Sequence, residues 1–449
     1  MYITEGLHDD PNRLVICMNT NADQLTSRRD FLKTSAIIGG AMMAPAILTG
    51  GAKAAENSDV LKVGLIGCGG RGTGAATQAL HADPNVKLTA MGDVFADHLE
   101  AKLRVLQNDP EIAAKVDVKS DHRFVGWDAY KQVLASGVDV VILATPPHFR
   151  PLHFEASVAA GKHLFVEKPV AVDGPGVRRM MKACDDARTK GLSVVSGLCY
   201  RYEHAKQETM KRVHDGAIGD IVALHTNYNT HGLWHFDRQP GWSDMEWQLR
   251  NWLYFTWLSG DHIVEQHIHS LDKMAWAMGD KYPEKAYGLG GRQSRINPKK
   301  FGHIFDHHAV VFEYPNGIKC FSYCRQQDGT ASDVSDYVMG TQGTCNVQHH
   351  FITGAHPWRH KRTTEPDDMY QNEHNALFAS IRSGKPLDNG DYMCKSTMMA
   401  IMGRMATYTG QIITWNMAMH SKEDLTPARY EFGPLAMPPV ARPGITKFV

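Results

Sequence analysis

Three side chains carry the most informative chemistry. Glu265 and His269 stand four positions apart, a spacing that places both on one face of a helix. A carboxylate hydrogen-bonded to an imidazole orients the ring and raises its basicity, and a histidine titrating near neutral pH suits removal of a hydroxyl proton. Lys168 lies in Glu167-Lys168-Pro169, directly after a short β-rich apolar run, so it is expected at a strand end. An ammonium brought to the same oxygen would stabilise developing alkoxide charge. These are the parts needed to oxidise a carbinol, whose hydroxyl proton must leave as the hydride goes. His269 is read as the base, Lys168 as its electrostatic partner and Glu265 as the group that orients the imidazole; base and partner could exchange roles.

A hydride needs an acceptor, and the sequence supplies a place for one. Gly67-Cys68-Gly69-Gly70-Arg71-Gly72 forms a G-x-G-x-x-G between a predicted strand over 59–66 and a predicted helix over 73–81. Gly67 permits a tight turn, Gly69 lets the backbone approach a pyrophosphate and Gly72 allows close helix–strand packing, while the helix N-terminus favours an anion. A second strand over 87–92 ends at Asp93, 21 residues after Gly72, where a carboxylate can take ribose hydroxyls. A carboxylate there repels a 2′-phosphate, so NAD is expected over NADP, although Arg71 could pair with a phosphate.

The positioning elements alternate as in a doubly wound parallel sheet. Helix is predicted over 127–135, strand over 138–144, helix over 151–160, and strands over 163–166 and 192–197. Ligands of such sheets lie beyond the carboxyl ends of the strands, so Gly70, Arg71, Thr145, Pro146, His148, Glu167 and Lys168 are expected to face the cofactor. Further strands are expected over 308–314 and 318–323 around Pro315-Asn316-Gly317, and over 337–340 and 344–347; an apolar helix is expected over 398–408.

The glycine fingerprint, Thr145-Pro146-Pro147, His153, and the run from Gly161-Lys162-His163 to Glu167-Lys168-Pro169 together resemble the Gfo/Idh/MocA oxidoreductases, the group of glucose–fructose oxidoreductase and inositol dehydrogenase. The likeness runs from about residue 59 to about 410. It implies an α/β chain: an N-terminal Rossmann domain and a C-terminal α+β domain on a large, mainly antiparallel sheet whose open face meets the nicotinamide. It also implies that Lys168 contacts cofactor and substrate. The stretch from Gly260 to Asp272 is similar to the family's later motif, with His269 at the motif histidine, Glu265 where Asp is usual and His267 in place of a glycine. Tyr200-Arg201-Tyr202 resembles the family's aromatic-Arg segment, and Tyr202 is taken as a substrate contact.

Other residues suggest rivals. Twenty-four His invite a metal, with His267-x-His269 a chelate if the segment were a strand, but no H-E-x-x-H is present and no metal site is expected. An aromatic-rich stretch from Trp234 to Trp257 could stack sugar faces; most of its rings are expected in the core, with Tyr254 and Trp257 facing substrate.

The 449-residue chain has 48 basic and 48 acidic residues, which disfavours nucleic acid as a partner, and no apolar run long enough to span a bilayer. Eight Cys without a C-x-x-C pair indicate neither a zinc ribbon nor a disulfide framework. Ser27-Arg28-Arg29-Asp30-Phe31-Leu32-Lys33, a mild apolar stretch and Ala52-Lys53-Ala54 look like a twin-arginine export signal, so residues 1–55 are set apart, with Met18 an alternative start. The remaining organisation is expected as a Rossmann domain over 56–180, a substrate and oligomerisation domain over 181–425, and a Pro-rich tail over 426–449 that wraps a neighbour or lies on the surface. Export through the twin-arginine machinery to a periplasm poor in free NAD implies a tightly bound cofactor. The expected function is therefore a sugar or glycoside oxidoreductase, a homo-oligomer with a retained nicotinamide. A redox-neutral glycosidase of the family-109 kind stands close behind, and a non-catalytic NAD-binding sugar sensor further off. Family-109 glycosidases typically have Glu-Val-Pro where this chain has Glu167-Lys168-Pro169.

Overall fold

The computed structural model describes residues 59–361, 364 and 366–449; the export signal expected over 1–55 lies outside them. The described residues form one compact unit. Among the described residues no helix is long and apolar enough to cross a membrane.

The first sheet is parallel throughout: β1 (Leu61–Ile66), β2 (Val86–Asp93), β3 (Arg123–Val125), β4 (Val140–Leu143), β5 (His163–Val166) and β6 (Val194–Ser196), in the order β3-β2-β1-β4-β5-β6. Burial on both faces explains why β1, β4 and β5 read as nearly continuous apolar runs rather than alternating ones. The order reverses between β1 and β4, which opens a crevice beyond their carboxyl ends. The expected boundary at 180 is wrong: the helix Gly174–Thr189 runs straight through it, and β6 beyond it still belongs to this sheet. The helix Met369–Ser383 also returns to this domain, burying Leu377 and Phe378 in the core beneath β1 and β4.

The second sheet has nine strands: β7 (Ile221–Thr230), β8 (Lys285–Gly291), β9 (His307–Glu313), β10 (Lys319–Gln326), β11 (Asp333–Gly340), β12 (Gly343–Asn346), β13 (Phe351–Gly354), β14 (Trp358–Arg359) and β15 (Ile413–Thr414). Their order is β14-β13-β12-β11-β7-β10-β9-β8-β15, antiparallel except where β10 meets β7. The α/β class and both sheet types agree with the sequence reading. In β9 and β10 buried residues alternate with less buried ones, as a sheet covered on one face requires. The cover is the helices Ile268–Ala277 and Gly390–Thr409. Between β9 and β10, Asn316 and Gly317 both take positive φ, so the Asn-Gly turn behaves as its residues predict.

Candidate active site

The glycine loop is built by steric exclusion. Gly67 has φ +98°, and a Cβ there would lie 2.5 Å from the Thr145 amide nitrogen across the β1/β4 crevice. A Cβ on Gly72 would lie 2.1 Å from the Gly67 carbonyl oxygen. Gly69 and Gly70, in contrast, are exposed and have open space where a Cβ would point. Gly69 caps the helix Gly70–Ala82 without any side-chain hydrogen bond, so the N-terminal N–H groups are left for a ligand. This shape fits a dinucleotide pyrophosphate.

Around the loop, several expected cofactor contacts also have partners within the protein. Asp93 ends β2 as predicted, yet its Oδ2 accepts the Cys68 N–H at 2.6 Å and its Oδ1 the Phe95 N–H at 2.9 Å. It braces the loop first, and ribose hydroxyls would share its remaining lone pairs. Burial is the main influence on this carboxyl and raises its pKa. Arg71 turns inward: its Nε lies 2.8 Å from Glu167 Oε1, it donates to Gln78 Oε1, and its guanidinium lies 4.9 Å from the Tyr370 ring centroid. That placement takes it away from the 2′-phosphate role left open by the sequence. Thr145 accepts from Arg150 through its carbonyl at 2.7 Å, and its hydroxyl lies 3.3 Å from His153 Nδ1. His148 is buried with its Nε2 2.8 Å from the Tyr430 hydroxyl and its ring edge-on to Trp257. Burial pushes its pKa down to about 4, so it is neutral at pH 7.

Past β5, Lys168 is where the sequence placed it, but its partner differs. Nζ donates to the Glu265 carbonyl at 2.8 Å and to Glu265 Oε1 at 3.1 Å, in a pair only 15% exposed on each side. Glu265 therefore grips Lys168 rather than orienting His269. The expected shared helical face does not exist, because the helix His262–Glu265 ends at Glu265 and a new one, Ile268–Ala277, begins after the break at Gln266-His267. His269 sits in the first turn of that second helix, buried, with Nδ1 unpartnered and its ring edge-on to Tyr200 at 5.3 Å between centroids. Burial first, then the charges of Lys168 and Lys273, push its pKa well below the usual histidine range. The imidazole is therefore held neutral, which leaves it free to accept a proton but makes it a weaker base than the near-neutral histidine expected from the sequence.

The surroundings of His269 include residues that sequence reasoning did not assign to the site. Lys273, one turn after His269, is fully buried, pairs with Asp336 of β11 and donates to Gln348 Oε1 at 2.8 Å. Lys273 and Lys206 place their Nζ atoms 4.3 and 4.7 Å from the Tyr200 ring centroid. The i, i+4 spacing of His269 and Lys273 was a legible signal. Tyr200, rather than Tyr202, meets the histidine: Tyr202 directs its hydroxyl to Asn389 Oδ1 at 2.8 Å and packs beside the first-sheet core. Because Lys273 descends onto Asp336, the helix-bearing face of the second sheet meets the site, not the open face that was expected.

The aromatic expectation also changes. Tyr254 is 1% exposed, its hydroxyl donated to the Leu233 carbonyl, and Trp257 is buried with Nε1 donating to Gln248 Oε1. Both rings belong to a packed aromatic cluster and offer no free face to a sugar. The histidine pair at 267 and 269 likewise diverges at the helix start: His267 Nε2 lies 2.7 Å from Ser322 Oγ. The tightest group of ligand-type residues among those described is Asp261, His262 and His308. There Asp261 Oδ1 faces His262 Nδ1 at 2.8 Å, while Oδ2 accepts the Phe305 N–H at 2.9 Å and the Tyr408 hydroxyl. These contacts occupy the carboxylate with internal hydrogen bonds.

The NAD-binding Rossmann domain of the Gfo/Idh/MocA oxidoreductase family matches residues 61–196, and the Gfo/Idh/MocA C-terminal domain matches residues 207–346. The chain belongs to the Gfo/Idh/MocA family. It is 28% identical over 264 residues to 2,7-anhydro-N-acetylneuraminate hydratase of Escherichia coli (strain K12), covering 56% of this chain and 64% of that protein, so it spans less than two-thirds of that relative's length. It is 30% identical over 174 residues to a glycosyl hydrolase family 109 protein of Streptomyces coelicolor, covering 37% of this chain and 34% of that one. Scyllo-inositol dehydrogenase of Lactobacillus casei with bound NAD(H) and scyllo-inositol shares the fold, with a TM-score of 0.61, 18% identity, and 80% and 100% coverage of the two chains.

Proposed function

We propose that this family member oxidises a secondary carbinol of a sugar or glycoside, using a tightly held nicotinamide, NAD in preference to NADP. The observation that carries the reading is a Lys168 ammonium gripped by Glu265 beyond β5, close enough to the buried His269 for its charge to act on the imidazole. A bound nicotinamide would supply the hydride acceptor. Gly69, Gly70 and the open helix N-terminus would hold its pyrophosphate, and Asp93 its ribose. Lys168 would donate to the substrate oxygen and stabilise negative charge as it develops. His269 would accept the hydroxyl proton, and Lys273 and Tyr200 would fix the imidazole's position. Pro146, Thr145, Glu167 and His148 frame this end of the sheet. The reading also includes export of the folded protein with cofactor aboard, and association of copies into a homo-oligomer.

Redox-neutral glycoside cleavage is the second reading, favoured by the similarity to a hydratase and a family-109 hydrolase. In it the same carbinol oxidation comes first and the hydride later returns. One assay separates the two: pyranosides are added to the purified chain without added cofactor. Lasting growth of the reduced-nicotinamide absorbance supports the oxidoreductase, whereas release of a chromogenic aglycone without it supports the glycosidase. No response of either kind overturns both and leaves a sensor.

A further inference from the structure

Residues 421–449 run as irregular chain, fastened to the rest of the molecule at two places. The Leu425 N–H donates to Asp173 Oδ2 at 3.0 Å. Further on, the helix Asp244–Arg250 takes hold: the Met245 N–H donates to the Gly433 carbonyl at 3.2 Å, and the Leu435 N–H donates to Asp244 Oδ2 at 3.2 Å. Between these ties, Tyr430 and Phe432 lie across the carboxyl ends of the first sheet. Phe432 stacks on Phe95, just past Asp93 at the end of β2, with ring centroids 5.8 Å apart, and meets Trp127, just past β3, at 5.4 Å. Tyr430 meets Trp127 at 5.8 Å and Phe149, which follows β4, at 5.7 Å, and its hydroxyl lies 2.8 Å from His148 Nε2.

Strand ends of this kind are where an open α/β sheet takes its ligand. A pyrophosphate on Gly69 and Gly70, with a ribose at Asp93, directs the adenine outward past β2 toward Phe95 and the tail. The link is direct, because the Phe95 N–H donates to Asp93 Oδ1 at 2.9 Å. Phe95 is itself buried, whereas Phe432 keeps 47% of its surface open. An open aromatic face beside a ribose-binding carboxylate is what a planar base stacks on. We propose that the tail forms the outer wall of the cofactor site: Phe432 covers the adenine and Tyr430, tied to His148, holds the segment down. The dinucleotide then leaves only when residues 425–435 lift. The proposal rests on the reading of a retained nicotinamide and gives that retention a physical cause. Release must break the stacking on Phe432 together with the ties at Asp173, Asp244 and His148.

Two measurements on the full chain test this without substrate. In the first, the chain is loaded with NADH and chased with excess NAD, and loss of bound-NADH fluorescence gives the release rate. Phe432→Ala should speed release about tenfold or more, the scale of losing one base-stacking ring. The second needs no variant. Arg429, directly before Tyr430, has a side chain 79% exposed and is open to trypsin, as is the exposed Lys447. Adding NAD to the cofactor-free wild-type chain should slow cleavage after Arg429 and leave cleavage after Lys447 unchanged, because binding and tail closure are reciprocal. Release from Phe432→Ala at the wild-type rate, or protection at both positions or at neither, would overturn the proposal. NADH binding by the wild-type chain would then still stand for the cofactor reading, whereas a wild-type chain that binds no NADH would overturn both.

Discussion

The ammonium of Lys168 faces two oxygens of one residue, so truncating it leaves the largely buried Glu265 carboxylate without its cation. Lys168→Ala should lower kcat about 10²- to 10³-fold, the scale of losing one charge-stabilising donor, with nicotinamide affinity largely kept. Stopped-flow reduction of bound cofactor reads both quantities, and unchanged kcat would remove Lys168 from the chemistry. His269 adds a pH signature. Burial holds its pKa well below the usual histidine range, so the neutral, proton-accepting form persists as pH falls through about 6.5. The kcat/KM profile should stay flat there and drop only at distinctly lower pH; a break near 6.5 that vanishes in His269→Asn would contradict the placement. At this scale the sequence was informative where a residue's position follows from its own strand, as for Lys168 at the end of β5. It misled for Glu265, whose partner depends on a helix break that a four-residue spacing cannot reveal.

The glycine loop separates fold from binding at the level of elements. A Cβ at Gly72 collides with the Gly67 carbonyl, so Gly72→Ala should lower the thermal midpoint, whereas Gly69→Ala adds a methyl into open space and should leave it unchanged while weakening dinucleotide binding. Thermal melts beside NAD titrations check the pair; equal effects of the two changes on stability would show that the loop's open side is not a ligand surface. A second device fixes the other half of the site. Arg201 donates twice to Asp272 at 2.9 Å each, and Asp272 also accepts from Ser396, tying the turn that carries Tyr200 to the helix that carries His269. Arg201→Ala leaves a buried carboxylate unpaired and should cost about 3–5 kcal/mol in denaturant unfolding. A loss below about 1 kcal/mol, the scale of an exposed pair, would mean that the clamp contributes little. The glycine fingerprint was legible because its steric demands are local. Arg201–Asp272 spans 71 positions and Lys273–Asp336 spans 63, so only the folded chain brings these partners together.

Across the whole molecule, two cores meet a third, aromatic cluster that includes Trp247, Tyr254, Phe255 and Trp257. Of the two places expected for the tail, a neighbour or the surface, the structure shows the surface of its own chain, with Leu435 and Met437 packed on this cluster and Tyr430 reaching His148. Periodicity could not place these rings, since a buried aromatic and a sugar-stacking one look alike until the tail is seen to cover them. Buried histidines give the whole fold an acid sensitivity. Burial pushes His148, His303 and His308 down to about 4 and His153 to about 3. The unfolded chain protonates them below about 6.5 while the native state does not, so their stability is fully present above that pH and is lost as pH falls from about 6.5 toward 4. Each contributes up to about 1.4 kcal/mol per pH unit in that window, so urea midpoints should fall steeply between about pH 7 and pH 5. Constant midpoints across that range would show that these imidazoles are not held neutral.

The central claim is tested most directly by spectroscopy on the purified chain, without added cofactor, before and after a panel of pyranosides. A retained nicotinamide that gains its reduced absorbance with substrate, and fails to do so in Lys168→Ala, is the predicted result. A chain that carries no nicotinamide and takes up neither NAD(H) nor NADP(H) would contradict the account.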